Sequence, residues 1–202
     1  ESNAAPIRET LAAAIAKISR PREDVLLWDP MCGSGTIAIE AAMQMRNIAP
    51  GVRRRFAAES FPFVPESIWK SAREEAKDGE CVTKFEAFAT DIDPECVELT
   101  KKNAYLAGVS DNVKAFVKDA RKIESGGRRG TIVTNPPIRA GKKVVYDIVM
   151  NAKNYLEVNG KLFLVIRKEQ GAKSLIKDLE QNGYIVDILE KKGGFFILKC
   201  YL

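Results

Sequence analysis

Apolar positions along the chain recur in two alternating rhythms. Residues 7–18 carry them at helical spacing after Pro6, a good first-turn residue. Residues 25–28 are a short buried-strand run, and residues 37–45 form a strongly apolar helix opening at Ser34 to Thr36. Further on, strands are predicted over 85–90, 113–117, 131–134, 162–166, 184–190 and 195–201. Helices are predicted over 95–107, closed by Gly108, over 144–156, closed by the Asn159-Gly160 turn, and over 172–181, ending at Gly183. Strands alternating with helices make an α/β fold whose seven-stranded sheet is mostly parallel and doubly wound. The last two strands are joined by Lys192-Gly193-Gly194, too short for a crossover, so the last strand is antiparallel. Residues 47–80 keep no clean period. They hold Pro50-Gly51, Phe61-Pro62-Phe63 and Pro65, then a helical stretch over 65–77, and read as an insertion on the basic scaffold.

Length and composition narrow the picture. At 202 residues, with 46% hydrophobic residues, the chain reads as one globular domain over residues 1–202, with an N-terminal helix within residues 1–23. The longest apolar stretches are of strand length, so no membrane helix is expected. No basic-then-apolar leader opens the sequence, and a cytoplasmic location is expected. The opening at Glu1 without Met suggests a trimmed piece. Cys32, Cys81, Cys96 and Cys200 stand far apart with no CxxC pair, and there is no histidine, so a metal site is not expected. Missing histidine also removes the usual near-neutral base. The net charge of +5 permits phosphate contacts without demonstrating them.

Chemistry concentrates at strand ends. Asp29-Pro30-Met31-Cys32-Gly33-Ser34-Gly35-Thr36 is a glycine turn between a strand and a helix. In an open parallel sheet, ligands sit at the carboxyl ends of the strands. Gly33 and Gly35 let the backbone approach a ligand closely. Asp29 can accept from a cationic amine, Asp91 from both hydroxyls of a ribose, and Asp119 from an adenine amino group, while Ile92 can pack on the adenine face. No GxxxxGK[ST] loop is present, and three carboxylates would repel phosphates, which argues against a nucleotide triphosphate. A dinucleotide is a weaker match, because the turn lacks the third glycine of GxGxxG. S-adenosylmethionine fits best, being cationic and free of phosphate. Cys32 reads as a small packing residue and Asp93 as a helix cap.

Thr134-Asn135-Pro136-Pro137-Ile138 follows a second apolar run. Two prolines remove two backbone donors and stiffen the turn. The Asn135 side-chain oxygen and the Pro136 carbonyl remain as acceptors that can hold one exocyclic NH2 group. Positioning of that kind can supply about 7–11 kcal/mol at best and needs no strong base.

These motifs resemble the class I Rossmann-like S-adenosylmethionine methyltransferases that act on exocyclic amines. Ala5-Pro6-Ile7-Arg8-Glu9-Thr10-Leu11, the glycine turn, Ile39-Glu40-Ala41-Ala42, Asn47-Ile48-Ala49-Pro50-Gly51 and Thr90-Asp91-Ile92-Asp93 resemble the THUMP-associated large-subunit ribosomal RNA methyltransferases over roughly residues 1–135. Residues 134–142, Val165-Ile166-Arg167-Lys168-Glu169-Gln170-Gly171-Ala172 and Glu190-Lys191-Lys192-Gly193-Gly194-Phe195 resemble instead the small-subunit ribosomal RNA guanine-N2 methyltransferase family. A composite of the two families, joined near residue 135, is therefore expected. The resemblance implies Asp29, Gly33, Gly35, Asp91, Ile92 and Asp119 for the cofactor, Asn135 and Pro136 for the amine, and Pro137, Ile138 and Arg139 as substrate contacts. Ile138 stands where the first family has an aromatic. It further implies S-adenosyl-L-methionine as cofactor and ribosomal RNA, free or partly assembled, as partner, with guanine as acceptor. Asn-Pro-Pro alone does not separate guanine from adenine in RNA or DNA, and a folded hybrid without turnover is the reading from another class.

Overall fold

In the computed structural model, residues 7–122, 129–136 and 141–202 are described. Among them, seven strands form one sheet: β1 (Leu27–Asp29), β2 (Ala87–Asp91), β3 (Val113–Val117), β4 (Arg129–Thr134), β5 (Leu156–Arg167), β6 (Ile185–Lys192) and β7 (Phe195–Tyr201). Their order is β3-β2-β1-β4-β5-β7-β6. The first five are parallel neighbours, and β7 runs antiparallel to both β5 and β6, as the Gly193-Gly194 hairpin requires. The order reverses between β1 and β4, which is the switch point where ligands gather.

Among the described residues six α-helices accompany the sheet: α1 (Glu9–Ser19), α2 (Thr36–Met45), α3 (Glu66–Asp78), α4 (Pro94–Ala107), α5 (Lys142–Asn151) and α6 (Ala172–Gln181). Strand alternation sorts the core into two faces. Leu27, Val133, Phe163 and Val165 point to one face with Ile15, Ile37 and Ala104. Trp28, Ile132, Leu162, Leu164 and Ile166 point to the other with Val149, Leu175 and Leu179. The doubly wound expectation therefore holds, with α1, α2 and α4 on one face and α5 and α6 on the other.

The largest boundary difference from the sequence expectation lies between α5 and β5. The helix expected over 144–156 ends at Asn151, and β5 already begins at Leu156. Asn159-Gly160 lies inside β5 as a bulge: Arg129 pairs with Leu156, but Thr131 pairs with Lys161. Asn159 takes φ +66°, and a Cβ on residue 160 would come within 2.9 Å of the Glu157 carbonyl oxygen, so the local signal of a turn is real although it interrupts a strand.

The insertion is tied to the far ends of α2 and α4. Arg46 donates to the Gly108 carbonyl and Arg53 to the Leu106 carbonyl, both just past or within the end of α4. Asn47 Nδ2 donates to the Gly79 carbonyl at 2.8 Å, closing α3 back onto the end of α2. No residue of α3 is fully buried.

Candidate methyl-donor and amine-acceptor site

β1 ends at Asp29, where the chain leaves the sheet and turns through Gly33 and Gly35 into α2. Both glycines sit at positive φ, +55° and +80°. They serve different purposes. A Cβ at residue 33 would meet nothing within 4 Å, so Gly33 faces open space at the strand ends. A Cβ at residue 35 would fall 2.5 Å from Thr100 Cγ2, so Gly35 lets α4 pack closely.

The turn is held from two sides. On β2, Asp91 Oδ2 accepts from the Gly33 N–H at 3.0 Å, and the Thr90 carbonyl accepts from Cys32 N–H at 2.9 Å. On α4, Thr100 Oγ1 donates to the Gly33 carbonyl at 3.0 Å and Asn103 Nδ2 to the Ser34 carbonyl at 3.0 Å. Below the turn, Trp28 Nε1 donates to Thr90 Oγ1 at 2.9 Å and ties β1 to β2. The sequence reading did not single out Thr100 or Asn103. Their spacing of three puts both on one face of α4, but nothing local in the sequence marks Gly33 and Ser34 as their partners.

Asp29 is buried, at 1% exposure. Burial pushes its carboxyl up to about 7; the neighbouring Asp91 charge adds to the rise, while the Met31 N–H, 3.3 Å from Oδ1, opposes it. The Thr134 hydroxyl also opposes the rise weakly from the end of β4; it is fully buried and makes no hydrogen bond of full geometry. A buried carboxylate and an unsatisfied buried hydroxyl facing a glycine turn suit a ligand that brings a cationic amine. Cys32 is buried, and burial pushes its thiol far above the ordinary range, in keeping with a packing role.

Asp91 also accepts from Asp93 N–H at 3.1 Å, so its carboxylate is fixed in orientation. Ile92 beside it is 62% exposed, an apolar surface at the mouth. Asp93 caps α4, accepting from Glu95 N–H at 2.9 Å with Pro94 in the first turn, as the sequence suggested. Asp119 lies two residues past β3. Its carboxyl is held down at about 2 by the Arg121 side chain, whose Nε and terminal nitrogen reach its two oxygens at 2.9 and 2.7 Å. Arg121 N–H adds a bond to Oδ1, which leaves a lone-pair position on Oδ2 for a ligand amine.

Asn135 and Pro136 leave β4, the strand that pairs with β1 at Leu27–Thr131 and Trp28–Ile132. Asn135 is half-buried, and the Pro136 ring is buried. The Pro136 carbonyl accepts from Gln170 Nε2 at 3.3 Å, and Gln170 Oε1 accepts from Arg167 N–H at 2.8 Å. Gln170 thus bridges the end of β5 to the Pro136 carbonyl, a contact that no local signal in the sequence marks. Pro137, Ile138 and Arg139 lie outside the described residues.

Two other concavities lie elsewhere. One of about 870 Å³ is lined by Lys17, Gln44, Asn47 and Glu75, and another of about 360 Å³ by Arg46, Thr83 and Asn112. The first sits at the end of α2 opposite the glycine turn and the second beside the beginnings of β2 and β3, whereas ligands of open parallel sheets gather at the carboxyl ends of the strands. The site itself is an open shelf across the ends of β2, β1 and β4. Among the described residues no acidic, cysteine or histidine cluster could hold a metal ion, and no helix is long and apolar enough to cross a membrane.

Residues 1–183 match the family model of the RMKL-like methyltransferase domain, UPF0020. The chain belongs to this family. The match extends past residue 135, where a change of family was expected. Over 142 residues the chain is 39% identical to ribosomal RNA large subunit methyltransferase K/L of Psychromonas ingrahamii, covering 66% of this chain and 19% of that one. A possible methylase of Clostridium difficile 630 superposes with a TM-score of 0.83 at 31% identity, over all of this chain and 54% of that one. SMU.472, described as a methyltransferase complexed with SAH (S-adenosylhomocysteine), superposes with a TM-score of 0.80 at 27% identity, over 99% of this chain and 54% of that one. The chain spans 38% and 19% of the length of the first two curated relatives it matches. Rossmann-like methyltransferase architecture and methyltransferase family are thereby established for this domain.

Proposed function

We propose that this domain transfers a methyl group from S-adenosyl-L-methionine to the exocyclic amine of a guanine in ribosomal RNA. The observation that carries the reading is the adjacency of donor and acceptor elements. Asp29 ends β1, Thr134 approaches it from the neighbouring β4, and Asn135-Pro136 follow Thr134 directly. The match of the K/L enzyme supports ribosomal RNA, and the SAH bound to SMU.472 supports the cofactor.

The donor residues fit that cofactor in charge and shape. Asp29 takes the cationic amino group, which restores its ionised form. Gly33 leaves room for close backbone approach, Asp91 takes the ribose hydroxyls, Ile92 covers one adenine face and Asp119 accepts from the adenine amine. Bound there, the cofactor supplies an electrophilic sulfonium methyl. On the acceptor side, Asn135 Oδ1 and the Pro136 carbonyl each accept one N–H of the target amine. That fixes the amine plane and presents nitrogen's remaining electron pair to the donor shelf. The chain has no histidine, and none is needed, because the methylated amine sheds its proton to solvent once it is charged. Pro137, Ile138 and Arg139 would continue the acceptor contacts.

Two measurements test the reading. S-adenosylmethionine titrated calorimetrically into the wild type and Asp91→Ala should bind only the wild type. Labelled methyl transfer to ribosomal RNA lacking its natural methylation should then appear on guanine. Transfer to adenine instead would replace guanine as the acceptor, and no cofactor binding by a folded wild type would sink the donor site.

A further inference from the structure

The insertion carries aromatic surface that its own packing does not use. Phe56 stacks on Trp69 with ring centroids 5.9 Å apart and planes 17° apart, and Arg54 lies over the Phe56 ring at 5.4 Å. Arg73 ties that unit together, donating to the Val52 and Arg54 carbonyls and pairing with Glu59 at 2.6 Å. Phe61 and Phe63 stand outside it. Val64 N–H donates to the Phe61 carbonyl at 3.1 Å, forming a tight turn with Pro62 in the position that favours proline. The turn holds the two rings 5.4 Å apart with planes 27° apart, and leaves them 46% and 77% exposed. A stacked pair fixed by a proline turn is pre-organised, so a further flat group can add to the stack with little ordering cost.

Positive charge gathers ahead of the turn. The insertion as a whole is balanced, with four Arg and two Lys against five Glu and one Asp over residues 47–80, but Arg53, Arg54 and Arg55 are consecutive, and Glu59 is already neutralised by Arg73. Arg54 and Arg55 are exposed on the segment that leads into the turn. Aromatic faces beside exposed guanidinium groups are what unpaired nucleotides recognise: bases stack and phosphates pair. A duplex hides its base faces and offers the rings nothing to stack on.

We propose that the Phe61-Pro62-Phe63 turn with Arg54 and Arg55 is a docking platform for single-stranded RNA. This rests on the RNA methyltransferase reading above. The insertion is anchored at the ends of α2 and α4 away from the glycine turn, and α2 alone is about 15 Å long. The platform therefore holds nucleotides flanking the target, not the target base.

The test is fluorescence anisotropy of the full chain with a labelled oligouridine of roughly 12 nucleotides, within the usual span of such sites, and with an RNA duplex of equal length. The single strand should bind more tightly than the duplex. The double variant Phe61→Ala/Phe63→Ala should weaken it at least about tenfold, and Phe63→Leu, which keeps apolar area but removes the ring face, should also weaken it. Arg55→Ala should lower the salt slope by about 0.7. Cofactor titration and thermal melting of each variant should match the wild type, which separates this outcome from failure of the donor site. The platform is overturned by undiminished single-strand affinity in the double variant, by equal or tighter duplex binding, or by no oligouridine binding to a chain that does bind cofactor. Self-association of the wild type that the double variant abolishes, with RNA affinity unchanged, would assign the patch to protein contact instead.

Discussion

The Gly33 amide and the Asp91 carboxylate, 58 residues apart in sequence, meet at 3.0 Å across the ends of β1 and β2. The acid expected to hold a ribose is therefore also the acid that shapes the glycine turn. Two substitutions separate those roles. Asp91→Ala removes the acceptor for Gly33 and the charge together, and should cost about 1–2 kcal/mol of stability besides cofactor binding. Asp91→Asn keeps an oxygen for Gly33, so its urea midpoint should stay close to wild type while cofactor affinity still falls tenfold or more. Equal cofactor affinity in wild type and Asn variant would show that the charge is not used.

Asp29 sets a pH dependence. Free aspartate titrates near 3.9, and burial raises Asp29 to about 7 in the fold. Between those values the folded chain binds more protons than the unfolded one, so stability falls as pH rises from about 4 to about 7 and is level in this contribution outside that window. Asp29→Asn stays neutral throughout. It should unfold at higher urea than wild type at pH 8, by about 4 kcal/mol for a shift of that size, and close to wild type at pH 4. A cationic ligand should narrow the gap at pH 8 for wild type alone. A gap independent of pH would mean that Asp29 is not the titrating group.

Gly35 and Thr100 form a matched pair. Residue 35 combines φ +80° with an approach that would put a Cβ 2.5 Å from Thr100 Cγ2. Gly35→Ala should therefore destabilise by several kcal/mol, whereas Gly33→Ala should cost about 1–2 kcal/mol for its left-handed backbone alone. Adding Thr100→Ala to Gly35→Ala should recover part of the loss, since it removes the clashing atoms. Additive losses in thermal melts of the double variant would refute the steric account.

Local signals carried most of the fold. β3, α6 and β7 lie where their apolar runs and flanking glycines placed them, because each run is short and bounded by residues that favour turns. The α5–β5 boundary escaped, because Asn159-Gly160 has the chemistry of a turn wherever it occurs and only the pairing with β4 reveals a bulge. Strand-end acids and glycines made half of the candidate site legible. The residues that hold it together were not: Thr100 reaches 67 residues back to Gly33, Asn103 69 back to Ser34, and Gln170 34 back to Pro136. No periodicity encodes such contacts, since they exist only once α4 and β5 have packed against the sheet.

The Gln170 bridge bears on how the proposed acceptor side works. Gln170 donates to the Pro136 carbonyl and accepts from Arg167 N–H, so it ties the acceptor loop to β5 while leaving the carbonyl a second lone pair. Asn135 offers the other acceptor. Asn135→Ala should leave cofactor affinity unchanged and lower kcat at least about a hundredfold, the scale of a lost positioning contact. Gln170→Ala should act through Pro136, lowering kcat less, by about tenfold, again with cofactor affinity intact. Gln170→Glu keeps the acceptor for Arg167 but cannot donate to Pro136 when ionised, so it should resemble Gln170→Ala above pH 6 and recover as the carboxyl is protonated at lower pH. Single-turnover rates measured across that range decide the matter. A Glu variant as active as wild type at pH 8 would mean that the bridge to Pro136 does not position the acceptor carbonyl.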